Sequence, residues 1–303
     1  MKKLNITWDG IHDSTGYLFS LAKSLSTAVK SSPWAEYSED IIATSGFAFR
    51  MWVSADLCPS VTSIWEFDKQ KEWVENTGLT CDYIGRSWSQ DDIEYEKRLL
   101  AISVIKQSID NGIPAVSWDI NVPEWGLIIG YDDEAQIFSV LGINGEGEMP
   151  YDKLGKRDIP ILSVLSITGI SAKSQEDILY DTKKLAVLHL TGGEWCDNAK
   201  GLDAYPALIQ HFEEKFSPDT SWNMEYFLGT FGALKYYAWK YFEKMGQSDL
   251  AAIYKVVYES WQSAFELKNG RDITDTSIRA AIVKLLRLAH DKEVQAVEIM
   301  KQN

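Results

Sequence analysis

Residues 125–131 read Trp-Gly-Leu-Ile-Ile-Gly-Tyr, seven in a row without a charge. A strand that apolar must be covered on both faces, which calls for a layered fold rather than an isolated hairpin. Asp132-Asp133-Glu134 supplies a turn, and residues 136–141 return as a second strand. Residues 115–118 and 159–167 read as further strands, with Pro160 near the start of the latter, where a missing N–H is tolerated.

Ahead of these strands the period changes to that of helices. Tyr17, Leu18, Leu21, Leu25 and Val29 fall on one stripe of residues 14–30, with Asp13 or Ser14 as N-cap. Shorter helices are expected around residues 38–46 and 65–76, and a long one over 91–110 that ends at Asn111-Gly112. Helices gathered before mostly antiparallel strands predict an α+β class, not a doubly wound sheet. After Gly169 only helical periodicity remains. Residues 174–190, 202–216, 222–245, 248–267 and 274–300 are separated by Gly192-Gly193, Ser217-Pro218, Gly246 and Asn269-Gly270. Two domains follow: 1–172, N-terminal helices plus an antiparallel sheet, and 173–303, an all-helical bundle.

Charge and cysteine content narrow the partners. Acidic residues number 44 against 30 basic, a formal net charge of -14 that repels a phosphate backbone, so nucleic acid is not expected as a partner. No run of about 18 apolar residues indicates a membrane span. Met1-Lys2-Lys3 is followed by no apolar run of a secretory signal. Three scattered cysteines, Cys58, Cys81 and Cys196, form neither a disulfide framework nor a zinc pair, and four distant histidines suggest no metal site. The expected compartment is reducing, the cytoplasm, and no cofactor is expected.

None of the common catalytic signatures occurs. The glycine-rich stretch 142–147 ends at Pro150 without a helix and reads as a surface loop. What the chain offers is an order of elements. A helix opens near residues 13–14; Glu124-Trp125-Gly126-Leu127-Ile128-Ile129-Gly130-Tyr131-Asp132-Asp133 follows, and then a returning strand. This resembles the papain-like cysteine-peptidase fold, especially bacteriocin-leader peptidases and the N-terminal domain of the butirosin-biosynthesis protein H family. Gly201-Leu202-Asp203-Ala204-Tyr205 resembles the helical second half of the latter.

The resemblance implies a cysteine at the head of the first helix, a histidine opening the strand, and an Asp or Asn on the next strand. A thiolate is favoured there by the helix dipole and by the imidazolium. In this sequence the cysteine position falls on Asp13, or on Ser14 with a one-residue slip. The histidine position falls on Glu124, and the third near Leu141-Gly142. All three depart from the pattern, so cysteine-protease chemistry is not carried over.

Other chemistry remains open. Asp13 and Glu124 could face each other in a cleft with His12, Ser14 and Asp119, sharing a proton as an acid and base pair. Equally, Asp13 could be an N-cap and Glu124 a strand-end residue. Cys58 lies in a loop, and Cys196, beside Trp195, in the polar loop 191–201; either could be a relocated nucleophile. Cys81 reads as strand packing. Of the 12 tryptophans most should be core, with Trp125 the first candidate for a pocket. Three readings therefore stand: a degenerate papain-like binder of a small molecule or peptide, an acyl- or amide-processing enzyme, or a protein that docks a partner through its helical half.

Overall fold

The computed structural model describes residues 1–194 and 196–302. In chain order the first elements are β1 (Lys2–Lys3), α1 (Ser20–Lys30), α2 (Asp40–Thr44), β2 (Trp52–Val53) and α3 (Gln70–Glu75). Next come β3 (Leu79–Arg86), α4 (Glu94–Asp110), β4 (Ala115–Ser117), β5 (Gly126–Asp132), β6 (Ile137–Gly142), β7 (Gly145–Pro150) and β8 (Leu162–Ile170). The remainder is α5 (Gln175–Leu190), β9 (Ala199–Lys200), α6 (Ala204–Glu213), α7 (Ser221–Lys244), α8 (Ser248–Gly270) and α9 (Thr276–Gln302). The protein is thus mixed α and β with a mostly antiparallel sheet.

The chain forms two compact units. One comprises residues 1–11, 20–41 and 66–174, the other residues 12–19, 42–65 and 175–303. The chain passes from one to the other at Ser174–Gln175, close to residue 173 where helical periodicity takes over. Two segments of the first half, 12–19 and 42–65, nevertheless belong with the helices.

The sheet unit is ordered β3-β8-β4-β5-β6-β7, with β1 on β5 beyond the end of β4. All these pairings are antiparallel. Ala101, Ile102, Ile105 and Ile109 of α4 form one core with Ile128, Phe138, Val140 and Val164 of the sheet. Leu127 points to the opposite face by the alternation of a strand and is also fully buried, as is Ile129 at the irregularity between Ile128 and Gly130. The apolar run is therefore covered on both sides, as its composition requires.

Two sequence expectations need correction. Residues 142–147 are not a surface loop: Gly142 pairs with Gly145 across Ile143-Asn144, and residues 145–150 form the edge strand β7. Gly145 closes this turn in a left-handed conformation (φ +92°), which favours glycine, and the exposed Glu146 and Glu148 alternate with inward residues, as an edge strand allows. The helix expected from residue 14 begins at Ser20. Gly16 adopts φ +79°, a left-handed conformation that ends any helix, and Asp13 Oδ1 accepts from the amides of Gly16 (2.9 Å) and Leu18 (3.1 Å).

The helical unit is built on α7, α8 and α9, joined by short turns, with α5 and α6 against α9 and a two-stranded β2-β9 ladder. The 12–19 segment is fixed to it by Tyr17, whose hydroxyl donates to Glu225 at 2.7 Å, and by Thr15 Oγ1, which donates to Gly229 O at 2.9 Å. At its centre Lys235 and Glu293, both fully buried, pair at 2.8 Å, and Tyr205 donates to the other carboxylate oxygen at 2.7 Å. Among the described residues no helix is long and apolar enough to cross a membrane.

Candidate functional site

In the sheet unit, the eight residues between β4 and β5, Trp118 to Trp125, collect the unusual chemistry. Asp119 (φ 60°) and Asn121 (φ 66°) both sit in the left-handed region, which Asp and Asn tolerate better than most side chains but which still costs energy. Several contacts impose this shape. Ile120 N–H donates to Glu124 O at 3.0 Å, closing the loop on itself. Arg157 donates to Asp119 O (3.3 Å) and Asn121 O (2.9 Å), pinning both residues from outside. At the exit Gly126 lets the chain pass close to β6, since a Cβ there would lie 2.7 Å from Leu141 O.

The loop delivers Glu124 to the head of α1. Ser20, the first residue of that helix and buried, donates its hydroxyl to Glu124 Oε2 at 2.5 Å and accepts from Trp125 N–H at 3.3 Å. A short bond to a carboxylate is among the stronger side-chain hydrogen bonds. With both roles used, the Ser20 hydroxyl ties helix to strand.

Asp119 is the opposite case. It is 3% exposed, and neither carboxylate oxygen accepts a hydrogen bond among the described residues. Arg157 Nε lies 4.0 Å from Oδ1, at the edge of ion pairing. Burial pushes the Asp119 carboxyl above its ordinary value; Arg157 pulls it down, and nearby Asp158 adds to the rise. A buried, unbonded carboxylate on a strained loop is the kind of group that functional sites retain.

The other candidate residues are placed as follows. Asp13 and Glu124 belong to different units. Asp13 caps the 16–18 turn and not α1. His12 stacks on Tyr236, ring centroids 3.7 Å apart, and its carbonyl accepts from Tyr237 at 2.7 Å. Ser14 is half-buried beside them in sequence. Trp125 is fully buried against Phe67 (5.0 Å) and Trp118 (5.4 Å), a core position rather than an open aromatic face.

The three cysteines differ in burial. Cys58 is half-buried, and its amide is held by Ser54 and Asp56. Cys81 is buried on β3, its thiol pushed up to about 12 chiefly by burial. Cys196 is buried, and burial raises its thiol as well. Trp195 lies outside the described residues. No group of three or more His, Cys, Asp or Glu that could hold a metal ion occurs among the described residues. Ser20 was not singled out by the sequence, because it lay inside the expected helix; the helix-breaking Gly16 was the available signal.

The chain matches no protein-family model, and no curated protein matches it in sequence.

Proposed function

We propose that this protein is a papain-like scaffold that has given up thiol chemistry and binds a small molecule or peptide at the loop before β5. The observation that carries the reading is Asp119: a buried carboxylate without a hydrogen bond among the described residues, held by Arg157 in a left-handed conformation five residues from Glu124. Buried carboxylates recognise donors, so the ligand presents N–H groups, as an amine, a guanidine or a peptide backbone does.

The element order supports the scaffold part. In the family the chain resembles, the nucleophile opens a helix and the base opens a strand. Here Ser20 opens α1 and Glu124 stands two residues before β5, and the two are joined directly, whereas Asp13 and Ser14, the positions the resemblance gives for the nucleophile, precede α1. The sheet unit contains no histidine, and its one cysteine, Cys81, lies buried on β3. A carboxylate is a weak base for a serine hydroxyl, and no group in that unit supplies an imidazole to take the proton.

The test is thermal melting of wild type, Asp119→Asn and Glu124→Gln against amines, guanidines and short peptides, alongside labelling with a fluorophosphonate probe. Stabilisation of wild type that both variants lose, with no adduct on Ser20, is the expected result. Absence of any stabilising compound would remove the binding reading. A Ser20 adduct would replace it with a serine hydrolase.

A further inference from the structure

A second feature of the sheet unit lies away from that loop. A cavity of about 220 Å³ opens between the last turn of α4, the chain just after α1, and the strands β3 and β8. Pocket volumes for drug-sized ligands start higher, at roughly 300 Å³, so the occupant is smaller. Ser166 on β8 lines it. This residue is 2% exposed, and its Oγ is buried with no hydrogen-bond partner among the described residues. Native interiors seldom leave a hydroxyl in that state without a reason.

The surroundings define what would satisfy it. Asp82, directly across the ladder from Ser166, also lines the cavity, as do Gln107, Asn111 and Thr168. These are one carboxylate, two amides and a hydroxyl, while Trp34 contributes an aromatic face. Among the described residues no Lys, Arg or His lines the space. An anion therefore finds no positive charge there. Donors and acceptors together with an indole ring suit a neutral molecule carrying several hydroxyl groups on a flat apolar face.

We infer that this cavity binds a neutral polyhydroxylated molecule of monosaccharide size, with Ser166 and Asn111 as hydrogen-bonding groups and Trp34 as the stacking surface. The site is independent of the loop before β5. Ser20 opens α1, whereas Trp34 follows its C-terminal end, and an eleven-residue helix spans roughly 16 Å. The larger groove of about 590 Å³ on α6 and α9 is a weaker candidate, because Arg287 and Glu213 in it already pair with each other at 2.8 and 3.0 Å.

The experiment is saturation-transfer NMR and calorimetry with D-glucose, N-acetyl-D-glucosamine, myo-inositol and glycerol, and with tetramethylammonium as a cationic probe. Wild type is compared with Ser166→Ala, Asn111→Ala, Trp34→Ala and Ser20→Ala. At least one six-carbon probe should bind saturably. Ser166→Ala and Asn111→Ala should each weaken it by at least about fivefold, the worth of one hydrogen bond. Ser20→Ala should leave the affinity unchanged. Ser166→Ala is also expected to melt no lower than wild type without ligand, since it removes an unbonded hydroxyl; that keeps lost binding distinct from lost folding. The inference is overturned if no polyol saturates, if only tetramethylammonium binds, or if polyol binding ignores the Ser166 and Asn111 substitutions.

Discussion

Glu194 offers the sharpest quantitative prediction. Its side chain is 6% exposed and receives Arg50 Nε at 2.9 Å and the His189 ring nitrogen Nδ1 at 2.8 Å. Arg50 is itself buried, donating to Ile64 O at 2.7 Å and Thr62 O at 3.3 Å and lying 3.8 Å above the Trp52 ring. Burial alone would push the Glu194 carboxyl up. The Arg50 charge and the His189 contact outweigh it and hold the carboxyl down to about 2, against an ordinary 4.5.

A fall from 4.5 to about 2 corresponds to about 3 kcal/mol, at roughly 1.4 kcal/mol per pH unit. Removing one member of a buried pair independently predicts about 3–5 kcal/mol, because the remaining charge stays buried. Glu194→Gln should therefore lose about 3 kcal/mol in urea unfolding at pH 7. The sign of the pH dependence is fixed. A carboxyl depressed in the folded state stabilises above its unfolded value, and that contribution disappears as pH falls through the folded one. The difference between wild type and Glu194→Gln should stay constant from pH 7 to about 5, then shrink between about 4.5 and 2. A loss below about 1 kcal/mol at pH 7, or a difference that ignores pH across that window, would refute the argument.

Three further outcomes follow from the same kind of reasoning. Ser20→Ala should cost about 1.5–3 kcal/mol in chemical denaturation, since it strips a buried carboxylate of its donor and the Trp125 amide of its acceptor. Lys235→Met and Glu293→Leu should each cost about 3–5 kcal/mol, while the double variant costs clearly less than their sum; additive losses in a double-mutant cycle would mean the two charges are not coupled. Under native conditions iodoacetamide should modify Cys58 well before Cys81 and Cys196, read by peptide mass, because both of the latter are buried with raised thiols.

The helical half was the most legible part of the sequence. Its boundaries are written in local chemistry: Gly246 with φ +66° ends α7, and Ser217-Pro218 precedes it with Ser217 Oγ accepting from Asp219 N–H. The apolar run of β5 was equally plain, because covering both faces leaves no polar alternation. What failed to show was the start of α1. Tyr17, Leu18 and Leu21 do lie on a helical stripe, yet Tyr17 is spent on Glu225, more than two hundred residues away. Periodicity records that a side chain is buried and says nothing about which partner buries it.

The site divides along the same line. Glu124 could be found because it immediately precedes the apolar run 125–131, and Asp119 because it stands polar between Trp118 and Ile120. Ser20 and Ser166 could not, since an unremarkable serine becomes chemically distinctive only through what the fold brings to it. Ser20 gains a carboxylate from a loop 104 residues downstream. Ser166 gains a buried place beside a cavity, without a hydrogen-bond partner among the described residues. Asp119 carries the consequence furthest, because its backbone conformation, its burial and its lack of a hydrogen bond among the described residues all work against stability together. A carboxyl raised by burial makes ionisation unfavourable to folding, so stability is lost as pH rises from the unfolded value to the folded one. Asn tolerates the same left-handed backbone without the charge. If the loop is retained for a ligand and not for the fold, Asp119→Asn melts higher than wild type at neutral pH while losing the compounds that stabilise wild type. A variant that melts lower would instead make this carboxylate a structural partner of Arg157.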